Sequence, residues 1–318
     1  MKPKVTFALV SLACLGTSDF LNERAYKSQS HGTSTIKMMA PEILFALFSL
    51  AFLGISDFFY KWGQRWQLRG GPFMLLQNLA YLPTAFTLAY LRDEIVWSTG
   101  LWFGLLNGVL AFTAFLFVLL ALRRGEAVAL VPIVRLNFAI TALLAISLLG
   151  EELTVIKAFA LLLAVFAVLA VGGSVISAAG DRRSLWLAIG AMCLFGFIGL
   201  FYKLGLNAGA APAAMTVAQS VGVFFIALPF AIQQGDPLPR RGVPLWLPFV
   251  CGILTSCSYV SFAVAMRYGD AVVVASIAQL SFVLTGVLAI VVLKEQLTIR
   301  KGFGVVFAVL CVVLFANA

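Results

Sequence analysis

Thirty-two residues of this chain occur twice. Glu126 to Lys157, EAVALVPIVRLNFAITALLAISLLGEELTVIK, falls without a gap on Asp270 to Lys301, DAVVVASIAQLSFVLTGVLAIVVLKEQLTIRK. Fourteen positions are identical, including the run Glu-x-Leu-Thr at Glu151 to Thr154 and again at Glu295 to Thr298. That run is the least apolar part of the repeat, so shared apolar composition does not explain it. An internal repeat has to be settled before any fold is assigned. This one divides the chain into two related halves. Each copy is a long apolar run, a short charged turn and a second apolar run, the pattern of a helical hairpin in lipid.

Composition agrees. Hydrophobic residues make up 62% of the chain and charged residues 11%, about half the charge of an ordinary soluble domain. A bilayer core about 30 Å thick needs about 20 apolar residues per helix, and such runs recur throughout. The net charge of +9 does not point to nucleic acid, because the basic residues sit singly or in pairs between apolar runs. Cys14, Cys193, Cys251, Cys257 and Cys311 lie in apolar runs without metal-type spacing and read as small buried hydrophobes. The lone histidine, His31, lies in a polar tract. No metal cluster, nucleophile–base pair or phosphate loop is visible, so neither an enzyme nor a cofactor is expected.

Residues 1–37 stand apart. Lys2 and Lys4 precede an apolar stretch in the manner of a secretory signal. Yet FALVSLACLGTSDF at 7–20 copies FALFSLAFLGISDF at 45–58, which makes an extra copy of the first membrane helix the reading that explains more. Ten spans follow, at 42–62, 72–91, 99–122, 126–148, 154–177, 184–206, 212–233, 245–267, 270–293 and 299–316. Turn residues separate several of them, as at Gly70-Gly71-Pro72 and Gly235-Asp236-Pro237. The halves match at their starts too: Phe59-Tyr60-Lys61-Trp62-Gly63 returns as Phe201-Tyr202-Lys203-Leu204-Gly205, and Gln77 falls on Gln219. The division is thus residues 1–37, a first repeat at 42–177 and a second at 184–318.

Five spans per half is an odd number, so two tandem halves must face opposite ways in the membrane. The expected fold is an all-α membrane protein of ten transmembrane helices in two inverted five-helix repeats, plus the extra N-terminal segment. Inverted repeats are characteristic of secondary transporters, which bind substrate near mid-membrane between the repeats.

The two-times-five arrangement, the Glu-x-Leu-Thr turns, Pro132 early in the fourth span and the Lys-x-Gly ending of each half's first helix resemble the EamA-type transporters of the drug/metabolite transporter superfamily. The resemblance covers residues 42–316. It implies a multi-pass inner-membrane permease, often an exporter, of amino acids or other small metabolites. The alternatives from other classes are an intramembrane enzyme using Asp57 and Glu151, and an auxiliary membrane subunit that transports nothing.

Twelve lysines and arginines flank the loops that follow odd-numbered spans, against five on the other side. The positive-inside rule puts the richer side in the cytoplasm. The family is often drawn the other way, so orientation stays open.

Arg135 is the sharpest single residue. It lies near mid-depth of the fourth span, where a charge is costly and faces a cavity or a partner. Two readings stand side by side: it binds an acidic group of the substrate, or it is a structural charge held by Asp57 or by carbonyls. Its repeat mate is Gln279, and Asn137 maps onto Ser281, so two polar positions recur at one depth in both halves. Asp57 is the one acid well inside a core span. It reads as an i,i+4 partner of Lys61, or else as a proton-coupling carboxylate or the counter-ion of Arg135. The eighth span carries Thr255, Ser256, Ser258, Tyr259 and Ser261, either a polar cavity wall or a close-packing face. Gln77, Asn78, Asn107 and Gln219 are further candidates. Glu151 and Glu295 sit in surface turns, where they suit helix N-terminal amides. The expected partners are the lipid bilayer, a small-molecule substrate and a coupling proton.

Overall fold

The structure, a computed structural model, describes residues 40–63, 70–122, 127–172, 182–234, 244–294 and 299–317. The N-terminal segment 1–37, His31 and Glu295 lie outside them. Twelve helices form the described chain: α1 Pro41–Gly63, α2 Gly70–Leu91, α3 Leu101–Leu122, α4 Ala127–Arg135, α5 Asn137–Leu149, α6 Val155–Gly172, α7 Arg182–Asn207, α8 Pro212–Gln234, α9 Trp246–Tyr268, α10 Ala271–Gln279, α11 Ser281–Leu293 and α12 Ile299–Phe315. No strand occurs among the described residues. Seven stretches are long and apolar enough to cross a membrane, counting α4–α5 and α10–α11 each as one, and α6 and α12 hold shorter apolar helices.

Two continuous spans expected from the sequence are in fact broken. The fourth, 126–148, stops and restarts at Leu136 (φ −72°, ψ 6°), and the ninth, 270–293, does so at Leu280 (φ −69°, ψ 1°). These leucines are repeat mates. The Leu136 amide is shared between the carbonyls of Pro132 at 3.2 Å and Ile133 at 3.1 Å, and the Leu280 amide bonds Ile277 at 3.1 Å, a local 3₁₀ tightening. Pro132 removes one helical donor, but Ser276 stands in its place in the second half, and the break is the same. Proline alone is therefore not the cause. Non-helical backbone at membrane depth survives where it is buried in protein or lines a cavity, and the Asn137 amide nitrogen donates to the freed carbonyl of Val134 at 3.0 Å.

The halves interlock by exchange. α1 packs on α9 as α7 packs on α3; α9 packs on α2 as α3 packs on α8; α1 packs on α11 as α7 packs on α5. Individual contacts repeat with the same exchange. The Thr285 hydroxyl donates to the Gly54 carbonyl at 2.9 Å, and the Thr141 hydroxyl to the Gly196 carbonyl at 2.9 Å. A Cβ on Gly108 would strike the Gln219 carbonyl, and one on Gly252 the Gln77 carbonyl, so only glycine lets these helices approach so closely.

The contacts also give directions. Along α1 from Ser49 to Ser56, the partners on α9 run back from Ser258 to Thr255, so these two helices are antiparallel. Gly104 and Gly108 of α3 meet Met215 and Gln219 of α8 in turn, as Gly100 just before α3 meets Ala210 just before α8, so α3 and α8 are parallel. Phe103 meets Phe201 while Gly190 meets Phe117, so α3 and α7 are antiparallel.

Polarity is distributed inside out. Gln77, Asn78, Asn107, Asn137, Gln219 and several serines are buried, while Phe86, Leu143, Phe159, Phe225, Phe303 and Val309 face outward. Water would penalise that arrangement and lipid favours it. Exposed aromatics gather at helix ends. Tyr90, Trp97, Trp102 and Tyr268 mark one side, and Trp186 and Trp246 the other, as at the two faces of a bilayer.

Candidate functional site

A cavity of about 400 Å³ opens between the halves. Its floor lies where the breaks at Leu136 and Leu280 bring the ends of α4 and α10 together. Arg135, the last residue of α4, and Gln279, the last of α10, meet there with Nη1 3.3 Å from Oε1. Repeat mates in contact place the pseudo-twofold axis between them. The second nitrogen, Nη2, lies 2.5 Å from Oδ2 of Asp57 on α1. The partner of Asp57 is therefore Arg135, the counter-ion reading of this acid. Both side chains are largely but not wholly buried, at 21% and 16% exposure, which leaves the pair within reach of cavity water. A buried pair costs little net free energy while intact, but removing one partner costs about 3–5 kcal/mol.

Most residues singled out from the sequence come together here. Asp57, Gln77, Asn78, Arg135, Asn137, Gln219, Tyr259 and Gln279 all line the cavity. Ser281 does not: it is fully buried, outside the lining. Asn107 is also buried elsewhere, and neither end of its amide has a protein partner. The eighth-span polar run, now α9, divides by helix face. Thr255 and Tyr259 line the cavity, Thr255 also bonding Ser56 of α1 at 3.0 Å, while Ser258 bonds Ser49 at 3.1 Å and packs α9 onto α1. The run thus has members on the cavity lining and members at the α1 contact, and Thr255 is both.

Tyrosines add what sequence reasoning passed over. Tyr60 donates to Oε1 of Gln77, and Tyr202 donates to Oε1 of Gln219, the same bond in both halves. Gln77 also donates to Oγ1 of Thr255 at 3.3 Å. Tyr81 and Tyr202 flank Tyr259 at ring distances of 6.3 and 6.0 Å, so the three rings form one aromatic cluster at the cavity. The signal was present in the duplicated Phe-Tyr-Lys motif, which had served only to align the halves. Apolar side chains line the rest: Leu53, Phe73, Met74, Phe115, Val118, Leu130 and Phe195. The chemistry offered is a cation–anion pair and amide groups at the base of an apolar, aromatic vestibule.

The two mouths differ. The cavity runs toward the C-terminal ends of α1 and α3 and the N-terminal ends of α2 and α4, past Tyr60, Gly63, Phe73 and Leu119. The opposite side is sewn shut. Oε1 and Oε2 of Glu151, in the α5–α6 turn, accept from the first amides of α10, Ala271 and Val272, at 2.7 and 3.0 Å. Lys157 pairs with Asp270 at 2.6 Å. Lys203 donates to the Met266 and Gly269 carbonyls at 2.9 and 2.6 Å, and Glu94 accepts from the Ala213 amide at 2.6 Å. The surface carboxylate expected to receive helix N-terminal amides does so at Glu151, across the two halves.

The model of the EamA-like transporter family matches this chain twice, over residues 40–173 and 182–317. Among curated proteins none matches it in sequence. A solved crystal structure of a protein superposes with a TM-score of 0.70 at 14% identity, covering 86% of this chain and 95% of that one. At that identity the likeness concerns the fold alone.

Proposed function

Because the chain belongs to the EamA-like transporter family, and is thereby a multi-pass membrane transporter of the drug/metabolite transporter superfamily, we propose that it is a secondary permease working by alternating access. In this reading ten crossings form two inverted halves in the inner (plasma) membrane. The substrate is a small amino acid-like or carboxylate-bearing metabolite, moved outward when its own gradient points outward. Arg135 and Gln279 take the carboxylate, Asn137, Gln77, Gln219 and Tyr259 surround it, and the apolar vestibule takes the remainder.

The observation that carries this reading is the cavity with one mouth. Its base is a mid-depth arginine at the contact of two broken helices, and its far side is closed by links most of which join the halves. The helix directions support inversion, since α3 runs parallel to α8 and antiparallel to α7. The open mouth lies on the side of the loops that follow odd-numbered spans, richer in lysine and arginine, so the positive-inside rule makes this an inward-open form.

A counterflow assay in proteoliposomes tests the proposal, with a panel of labelled amino acids and monocarboxylates. Exchange of at least one of them, lost in Arg135→Gln, supports it. Exchange of none, or exchange indifferent to Arg135, contradicts it.

A further inference from the structure

The proposal above leaves Arg135 already occupied. Asp57 holds Nη2 at 2.5 Å, and neutral Gln279 lies 3.3 Å from Nη1. A substrate carboxylate that takes the guanidinium fork must therefore compete with Asp57. Two carboxylates on one guanidinium would leave a net negative charge in a poorly hydrated place, and like charges so close disfavour joint ionisation. The balance is restored by a proton on Asp57, or by a cationic group on the substrate itself.

We propose that Asp57 is the coupling-proton site: a monoanionic carboxylate bound at Arg135 displaces Asp57, which takes one proton from cavity water and returns it on substrate release. This rests on reading the cavity as the substrate site. The groups facing Asp57 can be named. Arg135 comes from α4, Tyr259 and Cys251 from α9, Ser281 from α11, and Tyr60 from its own helix, with Lys61 next along it. α10 contributes neutral Gln279. Tyrosine and cysteine ordinarily stay protonated at neutral pH, so Asp57 is the group that exchanges.

Charge accounting then fixes the coupling. The empty site holds Arg135 cationic and Asp57 anionic and is neutral. The loaded site holds Arg135 cationic, Asp57 protonated and the substrate anionic, and is also neutral. Neither form carries charge across the membrane, and the proton travels in the same direction as the anion. A zwitterion offers its ammonium to Asp57 instead and needs no proton. The second half has Gly199 at the place of Asp57 and Gln279 at that of Arg135, so there is one such pair per molecule.

Phenylacetate and L-phenylalanine share an aromatic body suited to Phe73, Phe115 and Phe195 and differ by the ammonium, which makes them the probes. Binding to the purified full chain is followed by calorimetry in buffers of different ionisation heat. Uptake of one proton per phenylacetate and none per L-phenylalanine, with both values zero in Asp57→Asn, is the expected result. Phenylacetate bound without a proton, or a proton still taken up by Asp57→Asn, overturns the proposal. A second measurement needs no ligand. The infrared band of a protonated carboxyl should appear in Arg135→Gln and vanish in the double variant Asp57→Asn/Arg135→Gln. Arg135→Lys, which keeps a cation, should lack it. Absence of the band from Arg135→Gln also overturns the proposal. If the band appears but neither probe binds, the proton exchange stands and the carboxylate-transport reading falls instead.

Discussion

Tyr60 and Tyr202 are the same residue in two copies of one motif, and each donates to the matching glutamine of its own half. Tyr60 lines an open cavity; Tyr202 has no exposed surface at all. The same contrast runs through the fourth helix of each half. Val131 lines the vestibule and is 39% exposed, while its repeat mate Ala275 is 3% exposed. Related segments with matching local bonds thus stand in opposite environments. The difference lies not in the local chemistry but in which pair of helix ends is splayed and which is drawn together. Under the proposed alternating access, the second arrangement would exchange the roles of the two halves.

The largest expected effect comes from Arg135, one of the charges that break the symmetry. Arg135→Gln makes the halves alike at this position and leaves Asp57 without its cation. Transport should be abolished, and stability should fall by about 3–5 kcal/mol, read from thermal melts beside the vesicle assay. Adding Asp57→Asn should restore the melt but not transport; recovery of transport would reduce the pair to a structural role.

Next comes the closed side. Glu151→Gln weakens two charge-assisted bonds to the start of α10, worth roughly 1–2 kcal/mol. That should move about five- to thirty-fold more molecules toward the opposite opening, seen as faster thiol labelling near Ala275. Unchanged labelling would mean that the Glu151 link does not hold this side shut.

The smallest effect sharpens the comparison itself. Tyr202→Phe removes the donor to Gln219 at a position with no exposed surface and should cost about 1–2 kcal/mol. At Tyr60→Phe cavity water can substitute, so the loss should be smaller. Equal losses would argue that the two environments do not differ as described.

Much of this was readable beforehand. Because mates at one depth meet across a twofold axis, the alignment of Arg135 with Gln279 already implied their proximity, and Asn78 meets its own mate Ser220 in the same way at 2.8 Å. The helix breaks were not readable. They sit at two leucines inside uniformly apolar runs, and the one residue that hints at them, Pro132, is absent from the second copy. Nor was the partition of the polar run in α9, because Thr255 and Ser258 differ only in the helix face they occupy. The partner of Asp57 was open for a related reason: Lys61 lies one turn away in sequence, and only the tertiary fold brings Arg135 of α4 against Asp57 of α1.

The central claim is that the two halves exchange environments, and thiol accessibility at mated positions tests it most directly. In a background with the native cysteines replaced, Val131→Cys and Ala275→Cys are labelled by a water-soluble maleimide in the empty protein and under a transport-supporting substrate gradient. The account predicts rapid labelling at 131 and little at 275 in the empty protein, with labelling at 275 rising as that at 131 falls during transport. Labelling at 275 that stays low while substrate is being transported would contradict it.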